Sequence, residues 1–168
     1  MNTTPNTAPT WLRPVLKIAA TRLGGRIFSR AAAPIDRVLL RHTQGRLSLA
    51  GLAVPTLLLI TRGRRSGLER ATPLMYRQRS GDFVIVASGG GANQHPAWYL
   101  NLQSDPNARV CVGGRTFDCG VVSLDQTTRE EIWGEMTTYY QGYADYQKRL
   151  QREIPLVVLR PIQKDEAS

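Results

Sequence analysis

The chain has 168 residues, a formal net charge of +9 and the composition of an ordinary globular protein. This length allows one domain with one core, which can bury roughly 70% of the surface that the unfolded chain exposes. No apolar run is long enough to cross a bilayer, because the longest candidate, Val54–Ile60, is strand-sized and contains Pro55. The N-terminus lacks the regions of a secretion signal, so we expect a cytoplasmic location.

The basic excess lies in the first part of the chain. Residues 1–70 hold twelve Lys or Arg against two acidic residues, whereas the remainder holds ten against eleven. A basic region attracts nucleic acid, an anionic membrane surface or an anionic small molecule, and charge alone does not choose among them. We expect no nucleic-acid partner, because tyrosines and arginines are not interleaved on one strand face as base stacking requires.

The N-terminal part is predicted to be helical. Apolar and basic residues alternate over Trp11–Phe28 as in an amphipathic helix, which could pack on the core or make peripheral contact with a membrane surface. A second short helix is predicted over Pro34–His42, with its proline near the first turn. The predicted division of the chain is a disordered tail at 1–10, a helical segment at 11–45, a barrel domain at 46–162 and a disordered tail at 163–168.

Beyond residue 50 the apolar pattern changes to that of short strands. The predicted elements in chain order are strands Thr56–Thr61, Arg70–Gln78 and Asp82–Ser88, a short helix Pro96–Leu102, strands Arg109–Val112 and Thr116–Val122, a long helix Thr127–Leu150 and a strand Ile154–Arg160. Six strands with few helices between them predict an antiparallel β-barrel of the α+β class, mainly β.

The two cysteines are predicted to be unpaired. A Gly113-Gly114 turn would place Cys111 opposite Thr116 and Cys119 opposite Ala108, so the thiols would not face each other. No metal site is expected either, since the sequence has no CxxC or HxxxH spacing.

The segment Gly63–Gly67 is the most suggestive feature for ligand binding. Glycines let backbone N–H groups approach a ligand, and Ser66 adds a hydroxyl. Arg64 and Arg65 supply forked donors suited to phosphate or carboxylate, and Arg70 starts the next strand nearby. The alternative is a solvated hairpin turn, in which glycine and arginine are also common.

Further features allow both a functional and a structural interpretation. The glycines of Ser88–Gly91 could bring backbone close to a ring or phosphate, or form a plain connection. Trp98 fits a buried helix face, for which packing is favoured. Tyr140, Tyr143 and Tyr146 recur every three residues of the predicted long helix and either pack in the core or present rings and hydroxyls to a planar ligand. Because no local nucleophile or P-loop is present, an enzyme of this kind would depend on a cofactor.

Taken in order and spacing, these segments resemble the deazaflavin-dependent nitroreductase and quinone reductase family, small actinobacterial enzymes that use reduced coenzyme F-420 (F420). The resemblance covers roughly residues 50–161 and is carried by six segments: LLLITRGRRSG (Leu57–Gly67), Arg70–Leu74, VASGGG (Val86–Gly91), HPAWYLNL (His95–Leu102), YQGYADYQ (Tyr140–Gln147) and REIPLVVL (Arg152–Leu159).

The resemblance implies a split β-barrel related to FMN-binding barrels, and hydride transfer from the deazaflavin to a quinone or nitro compound. It implies cofactor contacts at Arg64, Arg65, Ser66, Gly67, Arg70, Pro73, Leu74, Ser88, Gly89, Gly90 and Trp98. It implies catalytic roles for Tyr140, Tyr143, Tyr146 and Ser88. Barrels of this type often pair, so a homodimer is a further expectation.

Two positions depart from the family pattern. Gly89 stands where many members carry a lysine, and Ala97 stands where a larger methionine can occur. Two other functions are kept as hypotheses. The first is an FMN-linked oxidoreductase, since the resemblance implies a fold that also hosts FMN-binding enzymes. The second, motivated by the basic amphipathic helix predicted over Trp11–Phe28, is a non-catalytic barrel that binds a lipid or another hydrophobic molecule at the membrane surface.

Overall fold

Six strands within residues 54–162, the part of the chain that the computed structural model describes, close into an antiparallel barrel. The strands are β1 (Thr56–Arg62), β2 (Glu69–Arg79), β3 (Asp82–Val86), β4 (Asn107–Val112), β5 (Arg115–Val122) and β6 (Leu156–Pro161). They follow the order β1-β2-β3-β6-β5-β4, and β4 pairs with β1 to complete the barrel. The helices are α1 (Ala97–Ser104), α2 (Gln126–Tyr139) and α3 (Gly142–Arg149). The predicted barrel is thus confirmed.

Apolar side chains fill the barrel interior. Alternate residues of β1 point inward, so Leu57 and Leu59 join the interior cluster while Leu58 packs on the outside against Cys111. Trp98 and Leu102, from α1, also belong to the interior cluster, which confirms the buried helix face predicted for Trp98. A filled interior leaves no lumen for a large ligand, so binding must occur at the barrel surface.

A second apolar cluster lies on the outside of the barrel. There α2 packs Ile132 and Met136 against Val84 of β3 and Val158 of β6. Tyr143 of α3 is buried in the same cluster. This packing holds α2 and α3 against the outer face of β3 and β6.

The prediction of a single long helix over Thr127–Leu150 is wrong, because the chain forms two helices there. The first ends at Tyr139, and Tyr140 is extended with φ −141° and ψ 99° before the second begins at Gly142. The ring of Tyr140 folds over Gly142, where a Cβ atom would lie 2.4 Å from ring carbons. Glycine is also a poor helix former, so the break coincides with a position of weak helical preference.

Several strand boundaries differ from the predicted ones by up to two residues. The third strand ends at Val86 and not at Ser88, and the last begins at Leu156, after Pro155, and not at Ile154. Helix α2 begins at Gln126, one residue before the predicted Thr127, and Asp125 caps it by accepting a hydrogen bond from the Thr128 N–H at 2.8 Å.

The predicted pairing of the cysteine hairpin is confirmed. Cys111 is opposite Thr116 and Cys119 is opposite Ala108, and both thiols are free. The predicted helices Trp11–Phe28 and Pro34–His42, and both predicted tails, lie outside the described residues. Within residues 54–162, no helix is long and apolar enough to cross a bilayer.

Candidate active site

The connection between β1 and β2, Gly63–Leu68, is a tight turn that we call the arginine loop. The Gly63 N–H donates to the Leu68 carbonyl at 2.8 Å, and the Gly67 N–H donates to the Gly63 carbonyl at 2.7 Å. Gly67 adopts φ +67°, which favours glycine. This closure leaves Arg64 and Arg65 exposed at the tip.

Asn101 of α1 anchors the arginine loop, and sequence reasoning missed this residue. Its side-chain oxygen accepts from the backbone N–H of Arg64 at 3.2 Å and from the guanidinium at 3.5 Å. Its amide group donates to Thr61 Oγ1 at 3.1 Å, and only 4% of the residue is exposed. A polar residue three positions after Trp98, on the same buried helix face, was the signal that could have identified it.

A cleft of about 490 Å³ lies between the arginine loop, the start of β2 and α1. The predicted cofactor residues that line it are Arg64, Arg65, Ser66, Arg70 and Trp98. Asn101, Glu69, Thr72 and Ala97 also line it, although none was among the predicted site residues. The sequence therefore indicated the basic residues on one side of the cleft, but only Trp98 of the helix on the other side.

The three arginines of the cleft carry positive charge that no acidic partner neutralises within residues 54–162. None of them forms an ion pair there, and Arg70 donates instead to Ser66 Oγ at 3.4 Å. Glu69, the acidic residue of the lining, is paired with Arg109. The cleft is therefore suited to an anionic ligand.

Six predicted cofactor residues do not line this cleft: Gly67, Pro73, Leu74, Ser88, Gly89 and Gly90. Leu74 packs against the interior cluster, so its side chain belongs to the core. Pro73, its neighbour on the strand, has the opposite orientation and pairs with Leu58 of the outer cluster.

The connection between β3 and α1, Ala87–Pro96, is the second part of the candidate site, and we call it the glycine loop. Gly89, Gly90 and Gly91 adopt φ +60°, +66° and +79°, which residues with a side chain rarely do. A Cβ atom at Gly91 would lie 2.8 Å from Cδ1 of Tyr146, so this glycine permits close contact with α3. Ser88 is 8% exposed, and its hydroxyl accepts from the Gly90 N–H at 3.4 Å.

Tyr140, Tyr143 and Tyr146 form a compact group, which we call the tyrosine cluster, in spite of the helix break. The ring of Tyr140 lies edge-on to those of Tyr143 and Tyr146, with centroids 5.1 and 6.5 Å apart. Burial, and then a hydrogen bond with Tyr146, raises the pKa of Tyr140 to about 12. Burial, and then the neighbouring tyrosines, raises the pKa of Tyr143 further above its ordinary value of 10. Both hydroxyls therefore stay protonated at neutral pH and can donate hydrogen bonds.

Arg152, also missed by sequence reasoning, lies beside the glycine loop. Its guanidinium donates to the Ala92 carbonyl at 2.9 Å and to the Ser88 carbonyl at 3.1 Å. Arg152 begins one of the six family segments, but nothing near it in the sequence indicated its contact with the glycine loop, because its partners there are about sixty residues distant. The structure thus brings the glycine loop and the tyrosine cluster together and places the arginine loop beside α1, which follows the glycine loop.

Comparison with known proteins agrees with this architecture. The family model described as F420H(2)-dependent quinone reductase matches residues 34–161. An F420H(2)-dependent quinone reductase of Mycobacterium tuberculosis (strain ATCC 25618 / H37Rv) is 34% identical over 126 residues, covering 71% of this chain and 83% of the relative. A solved structure of an F420-H2 dependent reductase, FDR-A, has a TM-score of 0.58 at 34% identity and covers 63% of this chain and 94% of that chain.

A second solved structure, described as a domain-swapped dimer, has a TM-score of 0.60 at 32% identity and covers 76% of this chain and all of that chain. The match of the family model to most of the chain and the agreement in fold identify the protein as a member of the F420H(2)-dependent quinone reductase family, whose cofactor is the deazaflavin F420.

Proposed function

We propose that this protein transfers a hydride equivalent from reduced F420 to a quinone. The observation that carries the proposal is the cleft beside the arginine loop, whose three guanidinium groups form no ion pair within residues 54–162. Its volume, about 490 Å³, lies in the range of small-molecule sites.

The residues of the cleft fit an anionic cofactor tail. Arg64, Arg65 and Arg70 offer forked donors for the phosphate and carboxylate groups of the tail, and Ser66 adds a hydroxyl. Asn101 accepts a hydrogen bond from the Arg64 N–H, so the donors are presented from an anchored backbone. Since the arginines are exposed, added salt should weaken binding of the tail.

The glycine loop and the tyrosine cluster fit the reacting end of the site. When bound, the reduced deazaflavin supplies a hydride equivalent, and a quinone that receives it takes up one further proton to become a hydroquinone. Protonated tyrosine hydroxyls, with Ser88, would donate hydrogen bonds to the quinone oxygen as negative charge develops on it. The task of the chain is then to hold donor and acceptor in close contact.

The two departures from the family pattern fall at the edges of this site. Gly89 is exposed at φ +60° and contributes no cation, so the anionic part of the cofactor would depend on the arginine loop. Ala97 is exposed and lines the cleft, where its small side chain leaves space for a bulky ligand.

The first test is a fluorescence titration of oxidised F420 with the full-length protein, and FMN is titrated in parallel. Saturable binding of F420, followed by oxidation of F420H2 on addition of a quinone, is the expected result. Nitro compounds are assayed beside quinones, because both are electron-poor acceptors. Binding and turnover with FMN in place of F420 would overturn the proposal in favour of an FMN-linked enzyme.

A homodimer stays part of the proposal. Sedimentation velocity over a range of protein concentrations would distinguish a dimer from a monomer. A single species with the mass of one chain at all concentrations would contradict it.

A further inference from the structure

The guanidinium group of Arg152 donates hydrogen bonds to several carbonyl oxygens of the glycine loop. Besides the contacts with Ala92 and Ser88, Nη2 approaches the carbonyl oxygens of Gln94 at 3.4 Å and Ala87 at 3.5 Å. Nε adds a second bond to the Ala92 carbonyl, at 3.2 Å. One side chain therefore contacts the loop at its beginning and at its end.

The glycine loop has few other means of holding its shape. Three successive glycines carry a large conformational entropy when free. Within the loop, backbone bonds run from the Gly91 N–H to the Ser88 carbonyl at 3.1 Å and from the Ala92 N–H to the Gly89 carbonyl at 3.3 Å. A planar guanidinium can bond several carbonyl oxygens at once, whereas a lysine ammonium at the same place is a point charge with different geometry.

Gln147 of α3 holds the backbone from which Arg152 projects. Its amide group donates to the Arg152 carbonyl at 3.0 Å, and its side-chain oxygen accepts from the Ile154 N–H at 2.8 Å. The same helix carries Tyr143 and Tyr146, and Tyr146 lies against Gly91. A continuous series of contacts thus joins the tyrosine cluster to the glycine loop.

We propose that Gln147 and Arg152 are positioning residues that set the distance between the glycine loop and the tyrosine cluster. The inference rests on the proposed function, in which these two parts contact the cofactor ring and the quinone. Hydride transfer is sensitive to displacements of about 1 Å, which can reduce a rate roughly a hundredfold. Because the cofactor tail is assigned to the arginine loop, loss of this positioning should reduce kcat much more than the affinity for F420.

The test compares Arg152→Lys with Arg160→Lys in the full-length protein. Arg160 is a matched control, since it is a surface arginine paired with Asp82 and contacts neither loop. We expect Arg152→Lys to lower kcat about ten- to a hundredfold while the F420 dissociation constant stays within about threefold. In the protein without cofactor, hydrogen exchange at residues 88–95 should become faster in Arg152→Lys and stay as in the unmodified protein in Arg160→Lys.

Gln147→Glu provides a milder second variant in case Arg152→Lys folds poorly. Its carboxylate can still accept from the Ile154 N–H but cannot donate to the Arg152 carbonyl. We expect the same pattern as for Arg152→Lys with a smaller loss of kcat.

Three outcomes separate the two proposals. Unchanged kcat and unchanged exchange in both variants would overturn the positioning role while leaving the proposed function intact. A parallel loss of F420 affinity, kcat and melting temperature would assign Arg152 to general stability and also overturn it. If the unmodified protein neither binds F420 nor oxidises F420H2, the proposed function fails, and the exchange measurement still decides whether Arg152 orders the loop.

Discussion

The arginine loop and the glycine loop contribute to the same candidate site but are built differently. The arginine loop closes on itself through hydrogen bonds within Gly63–Leu68, and one helix residue anchors it. The glycine loop depends on Arg152 and contacts Tyr146, both more than fifty residues further along the chain. The part of the site assigned to cofactor binding is thus a local turn, whereas the part assigned to hydride transfer is assembled from segments distant in the sequence.

This difference separates affinity from rate. Charged groups on an exposed hairpin can bind an anion without much dependence on the rest of the fold. Donor and acceptor groups for hydride transfer must be held within a small tolerance, which requires several elements packed together. Changes in the first region should therefore alter cofactor binding, and changes in the second should alter turnover.

The largest effect is expected from removing the charge of the arginine loop. Arg64→Gln together with Arg65→Gln removes two charge-assisted contacts, each contributing roughly 1.5–3 kcal/mol, so F420 affinity should fall about a hundredfold or more. The melting temperature should hardly change, because both side chains are exposed. Fluorescence titration of F420 measures the first quantity and thermal unfolding the second.

Arg115→Gln is the matched control for that pair. Arg115 follows the β4–β5 turn, which the pairing of Leu58 with Cys111 places towards the other end of β1 from the arginine loop. Its F420 affinity should equal that of the unmodified protein. If the double variant kept its affinity for F420, the cofactor tail would not bind at the arginine loop, and the proposed difference between the two loops would be wrong.

A smaller effect, on turnover alone, is expected from Gly142→Ala. The added Cβ would lie 2.4 Å from Cε1 and Cζ of Tyr140, so the ring must move out of the tyrosine cluster. Tyr140 is 37% exposed, so its ring can turn towards solvent. Alanine favours a helix interior by about 1 kcal/mol over glycine and less at Gly142, the first residue of α3, which partly offsets the cost of moving the ring. We expect kcat to fall about tenfold, with F420 affinity and melting temperature nearly unchanged.

Gly134→Ala is the control for that substitution, since a Cβ at Gly134 in α2 meets no atom within 4 Å. It should leave steady-state kinetics unchanged and stabilise the helix slightly. If Gly142→Ala has the kcat of the Gly134→Ala protein, the position of Tyr140 does not contribute to turnover.

The smallest effect concerns the barrel behind both loops and appears only at alkaline pH. Burial raises the pKa of the Cys119 thiol from its ordinary value of 9.0 to about 11. The unfolded chain therefore loses this proton first, so the related stability is complete below pH 9 and is lost as the pH rises towards 11. Between pH 7 and pH 10, the free energy of unfolding should fall by about 1 kcal/mol less in Cys119→Val than in the unmodified protein.

Urea unfolding of both proteins at pH 7 and pH 10 measures this difference, and the pH 7 pair corrects for the change in packing. The F420 affinity at neutral pH should be the same in both. Equal losses of stability between the two pH values would show that the buried thiol does not titrate in this range.

Features that depend on neighbouring residues were predictable. The pairing of Cys111 with Thr116 followed from the Gly113-Gly114 turn, because a short turn determines which residues of a hairpin are opposite. The helix break at Tyr140 was not predicted, since residues 127–150 have a helical pattern on both sides of it. At the break one ring packs over Gly142, a contact that periodicity does not reveal.

By itself, the sequence determined the strand pattern, the charged hairpin and the order of six family segments, because each depends on residues close together along the chain. Tertiary structure decided that Asn101 supports the arginine loop and that Arg152 contacts the Ser88 carbonyl. It also decided that three tyrosines remain in contact across a broken helix. These contacts join residues far apart in the sequence, and the closed barrel and its packed helices bring them together.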